Sequence, residues 1–195
     1  MRRLNKRWMF VGFGIMALAL AVGIGAGLAT PFPELHLPER DVHASITIMQ
    51  SIRGEYTFRV IFTNNTRVFL MLTVGILTGG LLSLAEMLLI GYFIGILSQI
   101  SSQQGTPLVV TLAALLPHGI PELAAFATVG ALGVHLGFRV YMAARGQHTD
   151  WWQEVRTYGK VVIVAYVVLV LAALIEAYIS PSLVAYFMRV TAQSP

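Results

Sequence analysis

The stretch Leu115-Leu116-Pro117-His118-Gly119-Ile120-Pro121-Glu122-Leu123-Ala124-Ala125-Phe126 decides how this chain is read. It is a polar, proline-bracketed interruption in an apolar run, and Glu122 is the only carboxylate in residues 107–144. In a membrane, broken helices and ionisable groups are costly and face the protein interior or a water-filled cavity. A proline biases the residue before it away from the helical region, which disfavours helix at Leu116 and Ile120. Pro121 suits a first helical turn, where its missing N–H costs nothing. The spacing therefore predicts a break at Pro117–Pro121 and a helix from Pro121 to about Ala144. Two readings fit Glu122. It caps that helix, its charge meeting the positive helix end. Alternatively it joins His118 in a polar site for an ion, a substrate group or a partner.

Composition places the stretch in a bilayer. Of 195 residues, 56% are hydrophobic and 11% charged, and mean hydropathy is +0.74. A soluble domain carries about 25% charged residues. The expected fold is an all-α membrane protein, a single domain with the bilayer as solvent. The absence of cysteine excludes disulfides and thiolate metal sites. The net charge of +4 comes from short basic blocks, a pattern of topology signals rather than of nucleic-acid binding.

Working outward, Arg2, Arg3, Lys6 and Arg7 precede an apolar run long enough to span, residues 8–30. It is read as an uncleaved first helix entering from the cytoplasm. Residues 31–57 form an extracytoplasmic loop. In it Ile48, Ile52 and Tyr56 predict a short amphipathic helix on the membrane surface. Residues 58–102 read as a helical hairpin broken at Gly79-Gly80. Residues 107–116 are either a re-entrant half-helix or the outer end of a kinked span. Arg139, Arg145, Arg156 and Lys160, with Trp151 and Trp152, mark a cytoplasmic loop at 145–160. The last span, 161–180, is expected to stop at Pro181 and to lie at the periphery. The count is five spans, N-terminus in the cytoplasm and C-terminus outside, in the plasma membrane.

Four glycine pairs at four-residue spacing, Gly23/Gly27, Gly75/Gly79, Gly91/Gly95 and Gly133/Gly137, predict a tightly packed bundle. They exceed what one five-helix bundle needs, so a homo-oligomer is expected. Candidate polar-site residues are His118, Glu122, Glu86, Glu176, Asn64 and Arg67. His118-x-x-x-Glu122 is not the zincin His-Glu-x-x-His, and His135 lies about 20 Å beyond Glu122 along one helix. A metal would need His118 and Glu122 joined by Glu86 or Glu176 from other helices. No metal, cofactor or catalytic residue is assigned, since no nucleophile motif or catalytic constellation is present. An intramembrane metal-dependent hydrolase is the enzymatic alternative. The interrupted stretches 66–101 and 107–144 fit a small-ion or small-solute channel or transporter, in which paired interruptions point to a binding site.

Several elements together resemble the stage II sporulation protein M family. They are Ile61-Phe62-x-Asn64-Asn65-x-Arg67, the glycine-rich hairpin 75–95, Leu116-Pro117-His118-Gly119-Ile120-x-Glu122, Gly130-x-x-Gly133-x-x-x-Gly137, and Ala172-Ala173-x-Ile175-Glu176-Ala177 before Pro181. The resemblance covers roughly residues 55–182, and Pro-His-Gly-Ile-x-Glu is its most specific part. The family often carries Asn-Gly in the third span; here Ile90 precedes Gly91. The resemblance implies a membrane scaffold or assembly factor. Sporulation members of the family resemble scaffolds that recruit peptidoglycan hydrolases. The expected partners are lipid, a second copy, and cell-envelope hydrolases or other membrane proteins.

Overall fold

The structure, a computed structural model, describes residues 6–31 and 55–192, with side chains for 7–31 and 58–191. Ile48 and Ile52, which carry the expected surface helix, lie outside them. The described residues are all helical apart from short turns. In chain order the helices are α1 (Lys6–Ala29), α2 (Glu55–Gly75), α3 (Leu81–Gln103), α4 (Leu108–Ala144), α5 (Trp151–Leu174) and α6 (Ser180–Ala192). A 3₁₀ turn, Ile76–Thr78, ends α2, and a π-helical segment, Ile175–Ile179, joins α5 to α6 without a break. Among the described residues, five helical stretches are long and apolar enough to cross a membrane, the last being Trp151–Thr191. Large apolar side chains such as Phe10, Leu77, Phe93, Ile163 and Val164 are exposed on them. That is what a bundle dissolved in lipid requires, because hydrocarbon is as apolar as the core.

The hairpin turn falls at Gly79-Gly80, where both residues have positive φ, 63° and 89°. Only glycine adopts such values without strain. Their N–H groups return to Ile76 O and Gly75 O, and the buried Ser83 hydroxyl donates to Leu72 O. The end of α2 is thereby satisfied within the protein.

Helices α1 and α3 run parallel, and their glycines face each other. A Cβ on Gly23 or Gly27 would strike the backbone of α3 near Gly91 and Gly95, and the reverse holds. The second seam joins the hairpin turn to α4: Gly80 faces Gly133, and Gly79 faces Gly137. Met16, Leu72, Met87, Phe126, Leu132 and Leu169 fill the core between the seams. The last span is not peripheral: Ala165, Leu169, Ala172 and Ala173 are buried. Alanine supplies there the small contact surface that glycine supplies elsewhere.

Three boundaries differ from those expected. Helix α4 runs unbroken for 37 residues with Pro117 and Pro121 inside it. The expected break at Pro117–Pro121 is absent, and 107–116 is neither re-entrant nor separate. Its length, about 55 Å at 1.5 Å per residue, exceeds a bilayer of about 45 Å. Neighbouring helices hold proline-containing segments helical in a membrane, where a free loop is the costlier alternative. The 145–160 loop shrinks to a short turn, because Asp150 caps α5 by accepting from Gln153 N. Pro181 does not stop the last helix. The π turn absorbs the proline: Ser180 N–H bonds back five residues to Ile175 O, and α6 continues to Ala192.

Candidate functional site

Helix α4 and the π segment run antiparallel, and each presents polar residues four apart. His118 and Glu122 lie one turn apart on α4, each directly after a proline. Glu176 and Ser180 lie one turn apart on the facing helix, with Pro181 next. Four-residue spacing puts each pair on one face, and the pairs meet. His118 Nδ1 shares a 3.2 Å hydrogen bond with Ser180 Oγ. His118 Nε2 stands 3.8 Å from Glu176 Oε2. Ligand atoms of His118, Glu122 and Glu176 all lie within 4.8 Å of one another. The His118 side chain is 12% exposed and that of Glu176 30%. Ser180 is buried at 5%. The π turn matters here: such turns shift side-chain register and occur often at functional sites.

Asn65 of α2 closes the cluster. It is 7% exposed and faces Glu176. Its buried Nδ2 reaches toward the Glu176 carboxylate without a well-formed hydrogen bond. The inward stripe of α2 is Asn65, Phe69, Leu72 and Ile76, all buried. Asn64 and Arg67 are exposed on another face of α2, and Glu86 is half-buried on α3, outside the cluster. Of the six expected polar-site residues the structure thus brings together His118, Glu122 and Glu176. Asn64, Arg67 and Glu86 stay apart, since neighbours in sequence on a helix point about 100° apart. Asn65 and Ser180 were not anticipated. The i, i+4 match between His118/Glu122 and Glu176/Ser180 is the signal that would have found Ser180.

The capping account of Glu122 loses its geometric basis. Glu122 sits deep inside α4 rather than in a first turn, so no free helix N–H groups surround it.

A second polar group lies toward the other end of the same helix pair. His135 Nδ1 shares a 2.6 Å hydrogen bond with the Tyr158 hydroxyl. Arg139 Nε lies 2.7 Å from Glu154 Oε1, both side chains less than one-fifth exposed. Arg139 is therefore half of an internal ion pair as well as part of a basic cluster. His135 stands apart from Glu122, as the spacing predicts. Between the two polar groups runs an apolar groove lined by residues that include Ala124, Ala125, Val161, Ala165 and Val168.

Chemically, two carboxylates, an imidazole, a hydroxyl and an amide converge inside a span. Such a set can hold protons, or a cation whose charge offsets the two acids.

Comparison with known proteins gives a consistent answer. The family model for stage II sporulation protein M matches residues 9–181. An uncharacterized protein of Methanocaldococcus jannaschii is 27% identical over 136 residues, covering 69% of this chain and 76% of that protein. No solved structure matches significantly.

Proposed function

We propose a function from two premises: this chain belongs to the stage II sporulation protein M family, and its polar side chains converge on one point of the bundle. The protein is a multi-pass membrane scaffold or assembly factor of the cell envelope. Its last helix is the working element. Buried alanines pack its middle, and a polar node fastens it where α5 passes into α6. The observation that carries this reading is the meeting of His118 and Glu122 with Glu176 and Ser180 at the π turn. A π turn pinned by buried polar groups is a defined place at which the exposed helix α6 can be set for a partner. The partners expected are envelope-remodelling hydrolases or other membrane proteins, and a second copy of this chain. The N-terminus is cytoplasmic and the C-terminus extracytoplasmic, which puts the node toward the outer face.

The second reading is a small-ion channel or transporter. What favours it is the same cluster, because intramembrane carboxylates commonly mark ion pathways.

Two assays separate the readings. Site-specific photocrosslinking from α6 in native membranes should capture a discrete envelope partner, and Glu176→Gln should abolish that capture. Purified protein in proteoliposomes should conduct neither protons nor cations above empty vesicles. Cation flux lost in Glu176→Gln, with no discrete crosslink, selects the transporter and overturns the scaffold.

A further inference from the structure

Two carboxylates within a few ångströms of each other in a span need a compensating charge. Arg67 is the nearest cation in sequence to Asn65, yet it lies on the exposed face of α2. The Arg139–Glu154 pair is spent internally at the other end of α4. His118 is the one basic side chain that the described residues place in the cluster.

We propose that the cluster is a metal site: His118 Nε2, one Glu122 carboxylate oxygen and one Glu176 carboxylate oxygen bind a divalent first-row transition metal ion. The proposal holds whether the protein is a scaffold or a transporter.

Four observations carry it. First, the three ligand atoms already lie within 4.8 Å of one another. Donors on one tetrahedral ion at about 2.1 Å stand about 3.4 Å apart. Closure takes at most about 1.4 Å, within reach of rotations about the glutamate χ angles. Second, His118 is oriented as metal-binding histidines are. Its Nδ1 is held by the buried Ser180 hydroxyl, which leaves Nε2 directed at Glu176. A partner on the far ring nitrogen fixes the tautomer and raises ligand basicity. Third, Asn65 is buried at 7% exposure and its side-chain amide reaches toward the Glu176 carboxylate without a well-formed hydrogen bond. Turning the amide over offers Oδ1 to the ion as a fourth donor. Fourth, the charges balance: two carboxylates and a neutral imidazole carry −2, and a dication cancels it.

The donor set narrows the ion. An imidazole with two carboxylates suits Zn²⁺, Mn²⁺ or Fe²⁺, whereas Mg²⁺ and Ca²⁺ prefer oxygen alone and Cu⁺ prefers sulfur. Donors from three helices converge, so the ion would tie α2 and α4 to the last helix at the π turn.

The test uses untagged, full-length protein purified in detergent, stripped with EDTA and equilibrated with Zn²⁺ or Co²⁺. One ion per chain should bind, and Mg²⁺ at the same concentration should not displace it. Co²⁺ should show visible absorption, and X-ray absorption at the zinc edge should place nitrogen and oxygen donors at about 2.0–2.2 Å. His118→Ala and Glu176→Gln should abolish the bound ion. Ser180→Ala and Asn65→Ala should weaken it about 10–100-fold. His148→Ala, at an exposed turn, should bind as the parent does. The spectra of the parent protein keep the test decisive even where a variant fails to fold. A parent that binds no ion, or undiminished binding in folded His118→Ala and Glu176→Gln, overturns the proposal and leaves a protonated carboxyl cluster.

Discussion

Gly91→Ala adds one carbon at the tightest seam of the bundle. Its Cβ would strike Leu20 O outright and stand 3.0 Å from Ile24 N and 3.1 Å from Gly23 Cα. All three are backbone atoms of α1, so no rotamer change makes room. Ordinary carbon contacts lie at about 3.5–4.0 Å, which forces α1 and α3 apart by about an ångström. Separation also loosens Gly95 against Ile24 and Gly27, because both glycines share the seam. Overpacking of this kind costs about 1–3 kcal/mol. Against it stands a gain of up to about 1 kcal/mol in helix propensity. Gly25 is the internal reference: it lies on the same helix as Gly23, and a Cβ there meets nothing within 4 Å. Gly25→Ala keeps the propensity gain without the clash. The propensity gain is common to both, so the two variants should differ by the clash alone, on the order of 1–3 kcal/mol. Unfolding in mixed detergent–SDS micelles, read by helical circular dichroism, measures the gap. Coincident unfolding curves for Gly91→Ala and Gly25→Ala would refute close approach of α1 and α3.

At the polar cluster, Glu122→Gln and His118→Ala should each abolish complementation of a deletion strain while leaving folded protein. The double variant should be no worse than either single one, as expected of residues acting through one site; full activity of both singles removes the site. Glu154→Ala should destabilise the bundle by on the order of 3 kcal/mol, because it strands Arg139 in a largely buried position. Pairing it with Arg139→Ala should recover part of the loss, and additive losses would show that the ion pair contributes nothing. Cysteines placed at Ser45 and at the exposed His148 should label from opposite sides of the membrane; labelling from one side refutes the five-span orientation. The scattering mass of the purified protein should exceed that of one 21.3 kDa chain, and a mass fixed at one chain in every detergent argues for a monomer.

Much of the fold was legible because bilayer physics leaves few choices. Apolar runs must be helices, residues 66–101 are too long for one span, and the Gly79-Gly80 pair is the point in them where a turn costs least, so the hairpin turn could be located from sequence. The glycine pairs named the faces that meet, and their pattern suggested contact without showing which pair meets which. Gly23/Gly27 could have faced Gly133/Gly137 as readily as Gly91/Gly95. Partner choice depends on how helices are arranged in three dimensions, and spacing along one helix does not encode that. The last span was misplaced for a related reason. That span has no glycine between 161 and 180, yet Ala165, Ala172 and Ala173 are buried, because alanine is small enough to let helices approach.

The prolines show where a local rule misleads. Pro117 and Pro121 each disfavour helix before them in an isolated chain, and Pro181 removes a helical donor. In the bundle none of the three ends a helix, and each lies directly beside a residue of the cluster: His118, Glu122 and Ser180. A proline in a helix frees a carbonyl and admits local rearrangement, here a π turn at Ile175–Ile179. Of the three, Pro181 adjoins a departure from regular helical geometry, while Pro117 and Pro121 lie within a continuous α-helix. Glu176 and Ser180 lie at that departure, facing His118 and Glu122 on the continuous helix. Once α4 is continuous, Glu122 has no helix end to cap, and its carboxylate must be satisfied by what lies across the interface. Glu176 cannot do this as a second anion. Something positive, proton or metal, has to sit between them, and the ion-binding measurement on the parent protein and its Glu176→Gln variant distinguishes the two.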